Sequence, residues 1–210
     1  MQTYFRNNNS DGLILLFCGW GMDEKPFQPI KSNYDILFVS DYSELNFPYF
    51  DFLKYKKIYL IAFSAGVLIA SYFQDKLPKI DLRIAVNGTL NLFDENEGIP
   101  RNVLFEMENI TLENALDFRK KLFDSDKDYN LFNKYQPSRD LESSLNELAA
   151  LKNIQSKPFD YDKVIIGKND KIIPCENQLR AWKDHKNIKK IEGGHFLFYK
   201  FKDFNEIINF

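Results

Sequence analysis

Short, almost wholly apolar runs alternate with longer amphipathic stretches along most of the chain. The apolar runs cover residues 13–19, 35–41, 57–63, 83–88 and 163–167, with 188–194 as a candidate edge strand. Their length and composition predict buried strands. Amphipathic patterns at 65–77, 174–186 and 195–210 predict helices between and after these strands. This alternation predicts an α/β fold in which a mostly parallel central sheet carries helices on both faces.

Residues 94–155 interrupt the alternation, because they contain helical patterns alone. The stretch 111–123 has an apolar stripe formed by Leu112, Ala115, Leu116, Leu122 and Phe123. A second stretch begins with Ser138 as a candidate N-cap and continues with a stripe formed by Leu141, Leu145, Leu148 and Ala149. We therefore predict one domain over residues 1–210, with a helical lid insertion at about 94–155 above the sheet.

Composition and charge narrow the classes of function. The 210 residues suit a single domain, and 44% hydrophobic with 28% charged residues is ordinary for a globular protein. A net charge of −2 gives no reason to expect nucleic acid or an anionic membrane as a partner. The opening MQTYFRNNNS lacks the apolar core of a signal peptide, and no apolar run approaches the roughly 18 residues of a membrane span. Cys18 and Cys175 do not form a disulfide framework, so we expect a reducing, cytoplasmic location.

Ser64 is the first candidate catalytic residue. It follows the apolar run 57–63 directly and precedes a helical pattern in the sequence IAFSAG. A serine in a tight strand-to-helix turn, with small residues two positions away on either side, is typical of a nucleophile elbow. Ala62 and Gly66 are those small residues here. An ordinary turn has the same short pattern, so the serine alone does not decide between the two interpretations.

A serine nucleophile needs a base, and the chain has only two histidines. His195 lies in EGGHFLF after the last candidate strand, and the glycines before it permit an unusual backbone path to a neighbouring strand end. His185 lies at a charged helix end, which is typical of a solvated surface residue. We therefore favour His195 as the base.

The base needs a carboxylate that orients it, and two candidates follow strands. Asp170 lies just beyond the run 163–167, and Asp94 follows the run 83–88. In a parallel sheet both loops open on the edge at which Ser64 lies. An Asx-turn or a helix cap is the alternative explanation for Asp170, and Asp94 is the rival carboxylate. The chain order Ser64, Asp170, His195 is that of the α/β-hydrolases, which favours Asp170.

Two backbone N–H groups are candidates for an oxyanion hole. One is that of Ala65, because the residue after the nucleophile supplies such a donor. The other is that of Trp20 in CGWGMD, the loop after the first core strand, where Gly19 and Gly21 let the backbone turn. A plain glycine-rich turn with a surface tryptophan is the alternative, and the indole could also form a wall of an acyl pocket.

These motifs together resemble the BioG type of pimeloyl-[acyl-carrier-protein] methyl ester esterase. The resemblance lies in LLFCGWGMDEKPF, IAFSAG, NGTLNLFDENEGIP, GKNDKIIPCENQLRAW and GGHFLF, which occur in order along nearly the whole chain. It implies an α/β-hydrolase fold and a serine esterase that needs no metal or organic cofactor. It also implies Ser64, Asp170 and His195 as catalytic residues, with Trp20 in the oxyanion loop. The implied substrate is an acyl carrier protein bearing a pimeloyl methyl ester, a precursor of biotin.

An acidic carrier protein would dock on positive side chains. The insertion has eight Lys or Arg residues against thirteen Asp or Glu, so only local clusters could serve. Arg119, Lys120 and Lys121 form one such cluster and Arg139 is a further candidate, although a solvated helix face explains them equally well. Two other classes of function stay open: a general carboxylesterase or thioesterase with the same triad, and a non-catalytic binding protein with a hydrolase fold.

Overall fold

The computed structural model describes residues 1–47 and 49–210, which form one seven-stranded sheet and seven helices. The strands are Gln2–Arg6 (β1), Gly12–Phe17 (β2), Asp35–Ser40 (β3), Lys57–Phe63 (β4), Leu82–Val86 (β5), Lys163–Gly167 (β6) and Ile188–Ile191 (β7). The helices are Ala65–Tyr72 (α1), Arg101–Glu108 (α2), Ala115–Lys120 (α3), Asp126–Lys134 (α4), Leu141–Leu151 (α5), Cys175–Ala181 (α6) and Phe204–Asn209 (α7).

The sheet has the strand order β1-β3-β2-β4-β5-β6-β7 and is parallel except at one edge. There β1 pairs antiparallel with β3, so that Gln2 lies opposite Ser40 and Arg6 opposite Ile36. The sequence pattern did not predict β1, because its residues are exposed or half-buried and carry no continuous apolar signal. The six parallel strands are those that the apolar runs predicted.

The central strands of the sheet are buried. Every residue of β2, β3 and β6 is buried, and β4 is buried except for Lys57 at its start. Strands that are covered on both faces are typical of a parallel sheet between helical layers. The arrangement is the α/β-hydrolase fold, and it brings the carboxyl ends of β2 to β7 to the same edge of the sheet.

The C-terminal segment is more broken than the predicted helix over 195–210. A 3₁₀ turn covers Leu197–Lys200, the chain is extended at Phe201, and α7 begins only at Phe204. Asp203 ends the interruption, because its side chain accepts a hydrogen bond from the Glu206 N–H (2.9 Å) and caps α7. The apolar residues that suggested one long helix are instead buried aromatic core residues, among them Phe196 and Phe198.

Helices α2 to α5 connect β5 to β6, and their details differ from the sequence prediction. The helix α3 begins at Ala115, so Leu112 precedes it and is 82% exposed, while Leu116 on the helix is 55% exposed. The predicted stripe is therefore wrong at these two residues. Helix α5 is capped by Asp140, which accepts from the Ser143 N–H (2.7 Å), rather than by Ser138.

No helix in the described part of the chain combines the length and the apolar character needed to cross a membrane. The two cysteines are free: Cys18 is buried at the end of β2, and Cys175 is half-buried at the start of α6.

Candidate active site

The strand ends bring together polar residues that are far apart in the sequence. Ser64 follows β4, Asp170 lies three residues beyond β6, and His195 lies four residues beyond β7. All three side chains are buried. Because these strands are parallel, their carboxyl ends share one edge of the sheet, and the three loops meet there.

Ser64 occupies a strained turn between β4 and α1. Its φ of 54° and ψ of −120° are rare for a residue with a side chain, which is typical of a functional constraint. The turn is tight because α1 starts directly against β2: a Cβ on Gly66 would lie 2.3 Å from the Phe17 carbonyl oxygen. Glycine is therefore required two residues after the serine, whereas two residues before it Ala62 occupies the usual glycine position as a buried residue of β4.

A chain of hydrogen bonds joins the three predicted residues. The Nε2 of His195 lies 2.9 Å from the Ser64 Oγ, and its Nδ1 lies 2.8 Å from the Asp170 Oδ2. With Nδ1 protonated and bound to the carboxylate, Nε2 is free to accept the serine proton. The arrangement can therefore activate a hydroxyl as a nucleophile.

The Asp170 carboxylate accepts hydrogen bonds on both of its oxygens, whereas Asp94 lies outside the site. The Oδ1 of Asp170 accepts from the backbone N–H groups of Ile172 (2.8 Å) and Ile173 (2.9 Å). The Oδ1 of Asp94 instead accepts from the N–H groups of Asn96 and Glu97 in an exposed turn. The turn explanation thus accounts for Asp94, while Asp170 makes both the local turn and the contact with His195.

His185 lies elsewhere. Its Nδ1 accepts from the Asn187 N–H (3.1 Å), so its Nε2 donates to the Tyr161 carbonyl (2.8 Å). Both ring nitrogens are therefore used in fastening the segment that leads into β7, and neither reaches Ser64.

The loop after β2 lies against the serine. A Cβ on Gly19 would lie 3.2 Å from the Ser64 Cβ, and Trp20 and Ala65 line the same cavity as Ser64. Ala65 is the first residue of α1, where a backbone N–H has no partner within its own helix. The indole of Trp20 packs edge-on against Phe118, with 6.0 Å between the ring centroids. The tryptophan is thus a wall of the cavity rather than a surface residue.

Residues of helix α5 form hydrogen bonds with the loop after β2. The Trp20 indole N–H donates to the Ser144 carbonyl (2.6 Å), and the Gly21 N–H donates to the Glu147 Oε2 (2.9 Å). Glu147 also accepts from the Tyr42 N–H (3.1 Å) and is fully buried. One helix therefore fixes the backbone that carries the predicted oxyanion donor.

Arg139 belongs to this interior cluster, contrary to its predicted role in docking. Its side chain is only 5% exposed, and its guanidinium lies 3.1 Å from Asp41 and 3.3 Å from Glu147. A buried cation that neutralises two carboxylates is not available to a partner protein. The sequence could not distinguish this role from a surface charge, because the cluster joins residues about a hundred positions apart.

Burial raises the pKa of Glu147 to about 7 from 4.5, although Arg139 and the two N–H donors act in the opposite direction. The folded protein then keeps a proton that the unfolded chain releases above about pH 4.5, so this group stabilises the fold at low pH and ceases to do so as the pH rises to about 7. We expect Glu147→Gln to remove this dependence. Relative to the variant, the wild-type free energy of unfolding should fall by on the order of 3 kcal/mol across that interval.

Denaturant unfolding at a series of pH values measures this difference, with Glu113→Gln as the control because Glu113 is exposed. Identical pH dependence in the wild type and Glu147→Gln would contradict the assignment.

The cavity over Ser64 is apolar and narrow. His195 and Ser64 lie at its base, and its walls include Leu92, Ile99, Met107, Leu122, Leu148 and Leu151. Its volume is only about 30 Å³. A wider groove of about 280 Å³ lies beside this cavity. Four residues line both of them: Trp20, Met22, Phe118 and Leu122. The Trp20–Phe118 pair therefore separates the serine from a larger apolar groove.

Two of the three side chains in the predicted cluster at 119–121 are paired with neighbouring side chains. Arg119 donates to the Gln136 side chain (2.6 Å), and Lys121 pairs with Glu106. Lys120 has a looser contact with Asp117 (3.5 Å), and its side chain is 60% exposed. Lys120 is thus the member of the cluster that is most accessible to a partner.

Three further residues touch the site and were not among the predicted ones. Asn87 and Gln178 contact the loops of His195 and Asp170, and Glu147 contacts the Trp20 loop. Each lies within a stretch where its polar side chain resembles an ordinary turn or helix residue. Only the folded arrangement reveals that these side chains are buried.

Comparisons with known proteins identify the family of this chain and its fold. The family model for the pimeloyl-ACP methyl esterase BioG matches residues 1–207. A crystal structure of BioG from Haemophilus influenzae superposes with a TM-score of 0.87 at 28% identity, covering 98% of this chain and 99% of that one. An esterase from Exiguobacterium antarcticum, at 16% identity and a TM-score of 0.73, covers 99% and 94% and shares the fold.

One relative is a longer protein. A malonyl-[acyl-carrier protein] O-methyltransferase of Bacteroides fragilis is 33% identical over 192 residues, which cover 87% of this chain. The chain spans only 39% of the length of that relative. The similarity therefore concerns one part of that protein.

Proposed function

The chain belongs to the BioG family of pimeloyl-ACP methyl esterases, and from this premise we propose that Ser64, His195 and Asp170 hydrolyse the methyl ester of a pimeloyl group carried on acyl carrier protein. The supporting observation is the unbroken hydrogen-bond chain from the Ser64 Oγ through His195 to Asp170. The family and its fold make the protein a carboxylic ester hydrolase, and the residue roles are our proposal.

In the first half of the reaction, His195 accepts the proton of Ser64 as the Oγ attacks the ester carbonyl. The negative charge that develops on the carbonyl oxygen is stabilised by the backbone N–H groups of Ala65 and Trp20. Asp170 stabilises the imidazolium that forms. The bond to the methoxy oxygen then breaks, and His195 returns its proton so that methanol leaves.

In the second half, a water molecule attacks the acyl-enzyme and gives its proton to His195. The ester bond to Ser64 breaks, the serine recovers its proton, and the free carboxyl end of the pimeloyl chain is released. No step requires a metal or an organic cofactor. The apolar cavity favours this chemistry, since a low-dielectric surrounding strengthens the hydrogen bonds to the oxyanion.

The apolar groove beside the site, rather than the narrow cavity over Ser64, suits a long, largely apolar substrate arm. The cavity over Ser64 has a volume of only about 30 Å³, against about 280 Å³ for the groove beside it. A seven-carbon chain therefore requires the Trp20–Phe118 contact to open towards the wider groove. In this proposal the ester end lies at Ser64 and the rest of the arm leaves through the groove towards the carrier protein.

A general carboxylesterase or thioesterase is the alternative, because esterases share this fold. Hydrolysis of pimeloyl-carrier methyl ester and of short p-nitrophenyl esters, measured side by side, separates the two functions. The proposed function predicts a much higher kcat/KM for the carrier-bound substrate, and complementation of a biotin auxotroph that lacks its own esterase. Equal kcat/KM values, with no complementation, would favour the general esterase.

Docking of the acidic carrier supplies a further prediction. We expect Lys120→Glu to raise KM for the carrier-bound ester by roughly 3- to 10-fold, since reversing one exposed charge weakens an electrostatic encounter by about a kcal/mol. The KM for a small ester should not change. The matched control is Lys79→Glu, because Lys79 is also exposed but precedes β5, at the opposite edge of the sheet. Equal effects on both substrates, or none, would reject Lys120 as a docking residue.

A further inference from the structure

We propose that Asn87 and Gln178 are positioning residues that hold His195 and Asp170 in their hydrogen-bonded geometry, an inference that rests on the proposed function. Both side chains are fully buried. They lie on different elements, Asn87 directly after β5 and Gln178 on α6, and neither is in contact with the cavity over Ser64. Their influence on the reaction is therefore indirect and passes through the two loops that they contact.

Asn87 uses the full hydrogen-bonding capacity of its side-chain amide. Its Nδ2 donates to the carbonyl oxygens of Gly194 (3.0 Å) and His195 (2.7 Å). Its Oδ1 accepts from the Gly167 N–H (2.7 Å) and from Gln178 (3.3 Å). Two acceptors face one end of the amide and two donors face the other, so its orientation is fixed by its surroundings.

These bonds join the end of β6 to the loop that carries the imidazole. The backbones approach so closely there that a Cβ on Gly167 would lie 2.4 Å from the Gly194 carbonyl oxygen. Asn87 itself has a φ of 43°, a strained value that its four hydrogen bonds offset. The carbonyl group of His195 is thus fixed directly beside the Cα that carries the ring.

Gln178 acts on the carboxylate. Its Nε2 faces three acceptors, namely the Asp170 Oδ2 (3.0 Å), the Ile173 carbonyl (2.8 Å) and the Asn87 Oδ1. The same Asp170 oxygen accepts from the His195 Nδ1. Gln178 therefore restrains the oxygen atom that orients the base, and through Asn87 the restraint is continuous with the His195 loop.

The two most informative substitutions are Asn87→Asp and Gln178→Met. Asn87→Asp keeps the shape but places a second oxygen before two carbonyl oxygens, so the contact with the His195 loop weakens. Because a misplacement of about 1 Å in a catalytic group costs roughly 10²-fold, we expect kcat to fall by about that factor with KM within about 3-fold of the wild type. Gln178→Met removes the hydrogen bond to the Asp170 carboxylate together with those to the Ile173 carbonyl and the Asn87 Oδ1, and we expect a decrease in kcat of roughly 10-fold or more.

The matched control is Asn177→Asp. Asn177 is also buried, and its Nδ2 also donates to two backbone carbonyls, those of Glu95 and Gly98, but it has no contact with the triad. We expect this variant to keep a kcat within about 2-fold of the wild type after normalisation to folded protein.

Kinetics on a small ester are combined with the low-field proton NMR signal of the His195 Nδ1–H, which reports its bond to Asp170. We expect this signal to shift or disappear in Asn87→Asp and Gln178→Met and to persist in Asn177→Asp. A normal kcat per folded molecule with an unchanged signal in both triad-side variants would overturn the inference. A wild type that fails to react with a fluorophosphonate would instead contradict the proposed function, so the two failures are distinguishable.

Discussion

Ser64→Ala is expected to abolish ester hydrolysis. Removing the Oγ leaves only binding and oxyanion stabilisation, and in serine hydrolases that loss lowers kcat by roughly 10⁴- to 10⁶-fold. The substitution should not destabilise the fold, because among the described residues the Oγ forms its one hydrogen bond with the His195 Nε2, and the backbone turn is retained. Methanol release from a pimeloyl-carrier methyl ester, measured under single-turnover conditions, is the most direct assay.

The matched control for this variant is Ser71→Ala. Ser71 lies on α1 only seven residues away, is also buried, and donates to the Leu68 carbonyl (2.7 Å). It should lose stability of about 1 kcal/mol but keep its activity. Near-normal hydrolysis by Ser64→Ala would remove the covalent mechanism altogether.

Asp170→Asn should have the second largest effect, with a loss of kcat of roughly 10⁴-fold. An amide at this position presents N–H groups to the His195 Nδ1, which then must accept. The other nitrogen, facing the Ser64 Oγ, is in turn protonated and can no longer take the serine proton. The two backbone N–H donors on Oδ1 keep the loop in place, so KM should change little.

Asp94→Asn is the control for this substitution, because Asp94 also follows a strand but only closes an exposed turn. Its activity should equal that of the wild type. If Asp94→Asn lost activity and Asp170→Asn retained it, the assignment of the carboxylate would have to be reversed.

The parallel core of the fold was predictable, because strands that are buried on both faces consist of continuous runs of apolar residues. The six runs that include 57–63 and 163–167 correspond to six strands of the sheet. The edge strand β1 was not predictable from the pattern, since it is half-exposed and owes its formation to pairing with β3. The break before α7 depends on the Asp203 cap, a local signal that a strong apolar periodicity concealed.

The identities of the candidate catalytic residues could be predicted from the sequence, because the chemistry allows only a few residue types. A chain with two histidines leaves few possible bases, and a parallel sheet brings strand-end loops together, so Ser64, Asp170 and His195 could be named. The geometry between them could not be derived, because hydrogen bonds of 2.8 and 2.9 Å depend on how three loops pack.

The roles of the buried polar side chains could not be predicted from the sequence. Arg139 looks like a surface charge, yet it neutralises Asp41 and Glu147 inside the protein. Asn87 looks like a turn residue, yet all of its hydrogen bonds are made within the core. In each case the partner lies about 80 or more residues away for at least one of the contacts, so no local pattern records it.

The proposed mechanism requires the hydroxyl of Ser64 to be the activated nucleophile. Its most direct test is to treat the protein with a fluorophosphonate and map the adduct by mass spectrometry. The tryptic peptide 58–76 contains both Ser64 and Ser71, so fragmentation within one peptide distinguishes the activated serine from its buried neighbour. We expect one adduct, on Ser64, and its loss in Ser64→Ala. Methyl ester hydrolysis by a wild type that carries no adduct at Ser64, or carries it on another residue, would contradict the proposed mechanism.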